Sequence, residues 1–307
     1  MIKEATFSRV EDFFDFLSPW GDSPGLEGYI FRGQSQESYK LVPTALREGC
    51  IEDFRRGRFS RSDPKEYNLH HIQIIEEYQI LRDFYRLADQ RGLEVPLSER
   101  VRSNLATEID LMGILSQERE ELWIPPDLQE TAALAQHYGL PTRLLDWTYD
   151  LYVAMYFAFR GAIGKTGNIV VWALNKERLS FLKRASARVN VEFITPHYSG
   201  NPHLNAQKGL FTLWPVTALP LRLVAQDVTS ENPQLVDRTP LDELVLNQME
   251  GTFEKVLIEE MFRKFVLPCS EAVKGCSILD KLGYDSARIF PGYGGVAAQL
   301  KDRAKYY

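Results

Sequence analysis

The stretch His137-Tyr138-Gly139-Leu140-Pro141-Thr142-Arg143-Leu144-Leu145-Asp146-Trp147-Thr148 constrains this chain more than any other, because it sets a His, an Arg, an Asp and a Trp between two helical patterns. Gly139 and Pro141 stop the helix that carries His137, the run from Thr142 to Thr148 has strand length, and Leu151, Ala154, Met155 and Ala158 then repeat at helical spacing. The spacing predicts helix, short break, strand, helix. Polar side chains at such junctions sit where helix dipoles and unpaired N–H groups address a ligand. If the strand alternates, Arg143, Leu145 and Trp147 share one face, and Leu144, Asp146 and Thr148 share the other. Asp146 and Thr148 also qualify as caps of the following helix, and His137 as a hydrogen-bonded core histidine.

The rest of the chain supplies elements around this unit. Ser8 and Glu11 are spaced as a capping box ahead of Val10, Phe13, Phe14 and Leu17. The run from Gly28 to Gly33 reads as a strand closing at a glycine, and Pro64 to about Gln90 carries a long helical pattern that includes the adjacent His70 and His71. A further helix is predicted through Leu105 to Gln117. Strands are expected at Asn168–Leu174, Val191–Ile194, Leu210–Trp214 and Phe253–Ile258, with helices near Ser270–Leu282 and from Val296. The polar stretch Ala225 to Thr239 reads as a long loop.

With 307 residues and 44% hydrophobic content, the chain has material for a full core, read as one domain over 1–307 with a helical insertion at about 60–125. A net charge of −6 argues against a role in coating nucleic acid, although Arg55, Arg56, Arg58 and Arg61 form a local basic cluster that serves either a solvated loop or a phosphate or partner contact. Cys50, Cys269 and Cys276 are odd in number and widely spaced, which fits a reducing cytoplasm. No stretch reads as a membrane span, so the expectation is a cytoplasmic protein without a membrane partner. Dinucleotide and phosphate-loop glycine patterns, HExxH and paired CxxC motifs are missing, and no metal is called for.

Arg32, at a strand end beside Gly33, fits either a phosphate-binding guanidinium or an internal ion pair. Gln207 lies in a polar approach to a strand, Asn205-Ala206-Gln207-Lys208-Gly209. Glu259 and Glu260, behind the predicted strand ending at Ile258, are candidates for a general base or a solvated pair.

Taken in order, Tyr29-Ile30-Phe31-Arg32-Gly33-Gln34, His137 through Thr148, Ala206 through Thr212 and the region around Phe290-Pro291 resemble the FRG domain family, which is named for the Phe-Arg-Gly seen at Phe31–Gly33. A more distant similarity is to the ADP-ribosyltransferase superfamily, whose members begin with an aromatic-Arg-Gly strand followed by a strand ending in small polar residues and a helix carrying Ala and Phe, as Asp146-Trp147-Thr148 with Ala154 and Phe157 do here. The resemblance implies an α+β fold with an ADP-ribosyltransferase-like split mixed sheet and helical insertions. It implies NAD as substrate, bound by Arg32, Gly33, Gln34, Tyr138, Arg143, Trp147 and Thr148, with His137, Asp146 and Gln207 catalytic. Gln207 stands where such transferases usually carry a Glu, and brings no negative charge. The function implied is a bacterial toxin or phage-defence effector that modifies a macromolecular acceptor, protein or nucleic acid, under the control of an antitoxin-like inhibitory partner. A non-catalytic nucleotide- or protein-binding module, and a nuclease using His137, Arg143 and Asp146, remain alternatives.

Overall fold

The computed structural model describes residues 2–18, 25–54, 69–103, 120–186, 188–199, 201–219 and 235–306. The Arg55–Arg61 cluster, the start of the helix expected from Pro64, the helix expected through Leu105 to Gln117 and most of the expected loop from Ala225 lie outside the described residues.

The strands are β1 (Lys3–Thr6), β2 (Tyr29–Gln34), β3 (Glu121–Trp123), β4 (Leu145–Thr148), β5 (Asn168–Asn175), β6 (Glu192–Ile194), β7 (Gly209–Leu213), β8 (Val216–Ala218) and β9 (Phe262–Pro268). The helices are α1 (Val10–Leu17), α2 (Leu69–Gln90), α3 (Glu99–Ser103), α4 (Pro126–His137), α5 (Leu151–Ala162), α6 (Lys176–Ala185), α7 (Pro202–Gln207), α8 (Leu241–Met249), α9 (Lys255–Glu259), α10 (Ala272–Lys281), α11 (Ser286–Ile289) and α12 (Tyr293–Tyr306). The protein is thus α+β.

Its main sheet has seven strands in the order β1-β9-β5-β2-β4-β7-β6. It is mixed: β1 runs parallel to β9, and the other neighbours are antiparallel. The ladders are uneven. β2 pairs with β5 along its whole length, from Tyr29–Asn175 to Gln34–Val170, whereas β2 and β4 share the single registered pair Phe31–Thr148. The sheet is therefore weakly joined at its centre, between the two strands that the sequence marks as chemically active.

Alternation sorts the strands' side chains into two cores, one on each face. Tyr29, Phe31, Val171 and Ala173 pack with α5, α10 and α1. Ile30, Leu145, Trp147, Val170, Trp172 and Leu210 pack on the opposite face with α6 and α8. A third core joins α2 and α4 to Leu144, Phe211 and Leu213, so α2 packs against the main sheet's strand region. Among the described residues no helix is long and apolar enough to cross a membrane.

Three local expectations are corrected. The segment read as a strand at Phe253–Ile258 holds α9, and the real strand, β9, begins at Phe262; Glu259 pairs with Lys255 one helical turn away, and Glu260 pairs with Lys3 and Arg178. Ser8 does not cap α1; the Val10 amide donates instead to Glu271 Oε2 at 2.9 Å, a cap supplied from far along the chain. The strand expected from Thr142 begins only at Leu145, because the Thr142 hydroxyl takes the Leu144 N–H (3.2 Å) and diverts that backbone from the ladder.

Gly33 is where β2 presses on α5. A Cβ at that position would lie 1.8 Å from the Ala154 carbonyl oxygen and 2.9 Å from the Ala158 amide nitrogen, both backbone atoms. Gly33→Ala is therefore expected to destabilise the protein by ~1–3 kcal/mol or more, as overpacking against an immovable backbone does. A urea midpoint equal to wild type would contradict this packing.

Candidate functional site

A cavity of about 350 Å³ opens where β2 and β4 part. Its floor is Arg32 and Gly33 from β2 with Asp146, Trp147 and Thr148 from β4; Gln136 and His137 enter from the end of α4, Gln207 from the end of α7, and Val153, Ala154, Phe157, Phe31 and Phe290 form apolar walls. That size and mixture of polar and apolar lining suit a small-molecule site.

Each polar group is aimed by its local structure. Helix α4 ends in a glycine-dependent turn: Gly139 has φ 87°, its N–H bonds Gln136 O (2.9 Å), and the Leu140 N–H bonds Ala135 O (3.1 Å). This stops the helix with Gln136 and His137 facing β4. Asp150, not Asp146 or Thr148, caps α5, accepting from the Tyr152 amide at 3.1 Å; its other oxygen is held by Lys208 Nζ (2.9 Å) and Tyr284 OH (3.0 Å). The Thr148 hydroxyl accepts from the Asp150 N–H (2.9 Å) and donates to Gln207 O (2.7 Å), tying the end of β4 to the end of α7.

Arg32 bridges the gap between the strands. Its Nη1 donates to the Asp146 backbone carbonyl (2.8 Å) and faces Asp146 Oδ2 (3.4 Å), while its Nε is buried without a hydrogen bond. Burial pulls the guanidinium pKa below its ordinary value, and Asp146 opposes that shift. The partners differ in exposure: the Arg32 side chain is 16% exposed and that of Asp146 58%. Asp146 is the one exposed residue of an otherwise buried strand. Its second oxygen accepts from Gln136 Nε2 at 2.6 Å.

The His137 ring lies 4.8 Å from that of His203 of α7, tilted by 41°, and His203 in turn lies 6.4 Å from the Phe290 ring. Burial, then the neighbouring His203, hold the His137 pKa below 6.5, with Asp146 pulling the other way. His137 is therefore neutral near pH 7 and able to accept a proton. Gln207 is anchored from the C-terminal side, its Nε2 donating to Ile289 O at 3.3 Å.

The cavity thus gathers Arg32, Gly33, His137, Asp146, Trp147, Thr148 and Gln207 from the residues marked in the sequence, although Trp147 turns its ring into the core, where its Nε1 donates to Thr212 Oγ1 (3.0 Å). The other three are placed elsewhere. Gln34 is buried, accepting from Trp172 Nε1 (3.0 Å). Tyr138 is 67% exposed beyond the end of α4 and is not among the lining residues. Arg143 is corrected from ligand-binding to structural: its Nε forks onto both oxygens of Glu77 of α2 (2.9 and 2.7 Å), and both side chains are 3% exposed. Glu77 also accepts from Trp123 Nε1 (2.6 Å) and Gln73 Nε2 (3.0 Å). Arg143 therefore ties α2 to the segment ahead of β4, and His137, Arg143 and Asp146 do not share a site. Sequence reasoning missed Gln136 and Thr142, and it missed His203, whose only signal was its place four residues before Gln207.

The FRG domain family model matches residues 27–166 of the chain. No curated protein and no solved structure matches it.

A histidine NMR titration checks the electrostatics of the site. His137 is expected to titrate below 6.5, His203→Ala to raise its midpoint, and Asp146→Asn to lower it further. Shifts of the opposite sign would mean that these groups do not face one another.

Proposed function

Taking the FRG domain as its framework, we propose that this chain binds the nicotinamide riboside end of NAD in the cleft between β2 and β4 and transfers ADP-ribose to a macromolecular acceptor, on an ADP-ribosyltransferase-like split sheet. One observation carries the reading: Arg32, Asp146, Thr148 and Gln207, from three separated segments, line a single cavity. The near-neutral Arg32–Asp146 pair suits a ligand that bears both signs. The Arg32 guanidinium, which lines the cavity, is a donor for a phosphate or ribose oxygen, and the exposed Asp146 carboxylate suits the cationic nicotinamide ring. Phe157 and Phe290 offer apolar walls for a planar group.

In this scheme the bond between the nicotinamide nitrogen and the ribose C1′ breaks, and its electron pair leaves with the now neutral nicotinamide. A nucleophile of the acceptor forms the new bond to C1′. Its proton passes to the neutral His137 imidazole and from there to water. The cationic sugar formed on the way is stabilised by fixed negative charge. In this reading the protein is, as the resemblance implies, a toxin or phage-defence effector, with an inhibitory partner that occludes the cleft. The alternative of a non-catalytic binding module draws on one observation, that Arg32 Nη1 is already engaged by Asp146.

Incubation of the pure protein with NAD and cell lysate is expected to release free nicotinamide. Arg32→Ala should cut the rate at least about tenfold, from the ~1.5–3 kcal/mol of a charge-assisted hydrogen bond. Measurable NAD binding with intact NAD after hours would favour the binding module, and neither binding nor release would overturn the NAD reading.

Under the same reading, loss of nicotinamide release on acidification should follow protonation of His137 and fall below pH 6.5, because its pKa is lowered. A rate profile in which His137→Gln keeps the same acid limb would remove His137 from the proton path.

A further inference from the structure

Two residues that the sequence did not mark as functional, Thr142 and Gln136, determine how Asp146 is held. Thr142 is buried, and its Oγ1 accepts the Leu144 N–H at 3.2 Å. Its own proton is therefore directed to Gln136 Oε1, with which it makes a short hydrogen bond. With its oxygen so engaged, Gln136 presents its NH₂ to Asp146 Oδ1 at 2.6 Å. The other carboxylate oxygen faces the Arg32 guanidinium, which can only donate. Both oxygens of Asp146 thus meet donors.

We propose that Thr142 and Gln136 are positioning residues, forming a one-way hydrogen-bond chain that holds the Asp146 carboxylate aimed into the cleft. Resting on the NAD reading above, it makes Asp146, in place of the uncharged Gln207, the source of negative charge opposite the ribose C1′ as it becomes cationic. No proton moves to or from Asp146; the acceptor's proton leaves through His137. The geometry fits an electrostatic role: the carboxylate is fixed from two sides yet 58% exposed, so it is ordered before any ligand arrives, and preorganised charge is the kind that stabilises a transition state most. Gln207, in contrast, has its Nε2 turned away to Ile289 O.

The test compares nicotinamide release from NAD by wild type, Thr142→Val and Thr142→Ser, with thermal melting to check that each variant is folded. Thr142→Val keeps the shape but removes both the donor to Gln136 and the acceptor of the Leu144 N–H, so it should lower kcat about 10- to 100-fold, as slight misplacement of a reacting group does, while KM for NAD stays near wild type. Thr142→Ser should restore kcat. A folded Thr142→Val with unchanged kcat, or a Thr142→Ser that fails to restore it, would overturn the proposal. A second readout does not depend on activity: the side-chain amide of Gln136, observed by ¹H–¹⁵N NMR. In wild type its two protons should be well separated and slow to exchange, and in Thr142→Val they should collapse towards free-amide behaviour. A silent wild type with that collapse would uphold the chain and reject the NAD chemistry; an amide unchanged in Thr142→Val would reject the chain itself.

Discussion

A guanidinium cannot be buried without partners, and in this protein that requirement is met at the weakest seam of the main sheet. β2 and β4 are joined by the one registered pair Phe31–Thr148. Immediately beyond it, Arg32 reaches across to the backbone carbonyl and carboxylate of Asp146. A side chain takes over the joining that a longer ladder would have done, which leaves the strands connected and the space above them open. The rest of the site follows: α5 lies close because Gly33 has no Cβ to hold it off, and Asp146, once engaged, gives Gln136 a fixed target. The Arg32–Asp146 contact thus links β2 and β4 where their ladder is shortest.

The polar groups of the cleft also depend on one another. Thr148, Asp150 and Lys208 join the end of β4, the cap of α5 and the end of α7. Lys208 holds left-handed backbone, φ 45°, a conformation that disfavours a side chain, and its ammonium is anchored on Asp150 at that same point. Tyr284 meets Asp150 from the C-terminal region, and Ile289 holds Gln207. This is the physical account of the block around Phe290: it closes the site. The matched family span ends at residue 166, whereas the walls of the cavity continue to Gln207 and Phe290.

Where alternation and local stops decide the outcome, the sequence was readable. Leu145 and Trp147 enter one core while Asp146 and Thr148 face the cleft, as period two requires, and Gly139 ends α4 as its conformational freedom predicts. Where a partner lies far along the chain, it was not. Nothing near Arg143 announces Glu77, and only the packing of α2 on α4 brings the two together. The Val10 amide is capped by Glu271 rather than by its neighbour Ser8. Strand β1, short and at the sheet edge with mostly exposed side chains, has too little apolar pattern to be seen. The apolar run ending at Ile258 has the composition of a strand, yet the sheet takes its strand from Phe262–Pro268.

The wide separation of the cavity's walls along the chain has a consequence for how the protein is born. Arg32 leaves the ribosome ahead of Phe290, and the ~258 residues between them take roughly 10–50 s to synthesise at ~5–20 residues per second. Until Gln207 and then Phe290 emerge, a nascent chain holds only part of the pocket. Contacts of such high sequence separation form late in folding as well as late in translation. The cavity is therefore enclosed in sequence order, with an interval in which it stands only partly walled.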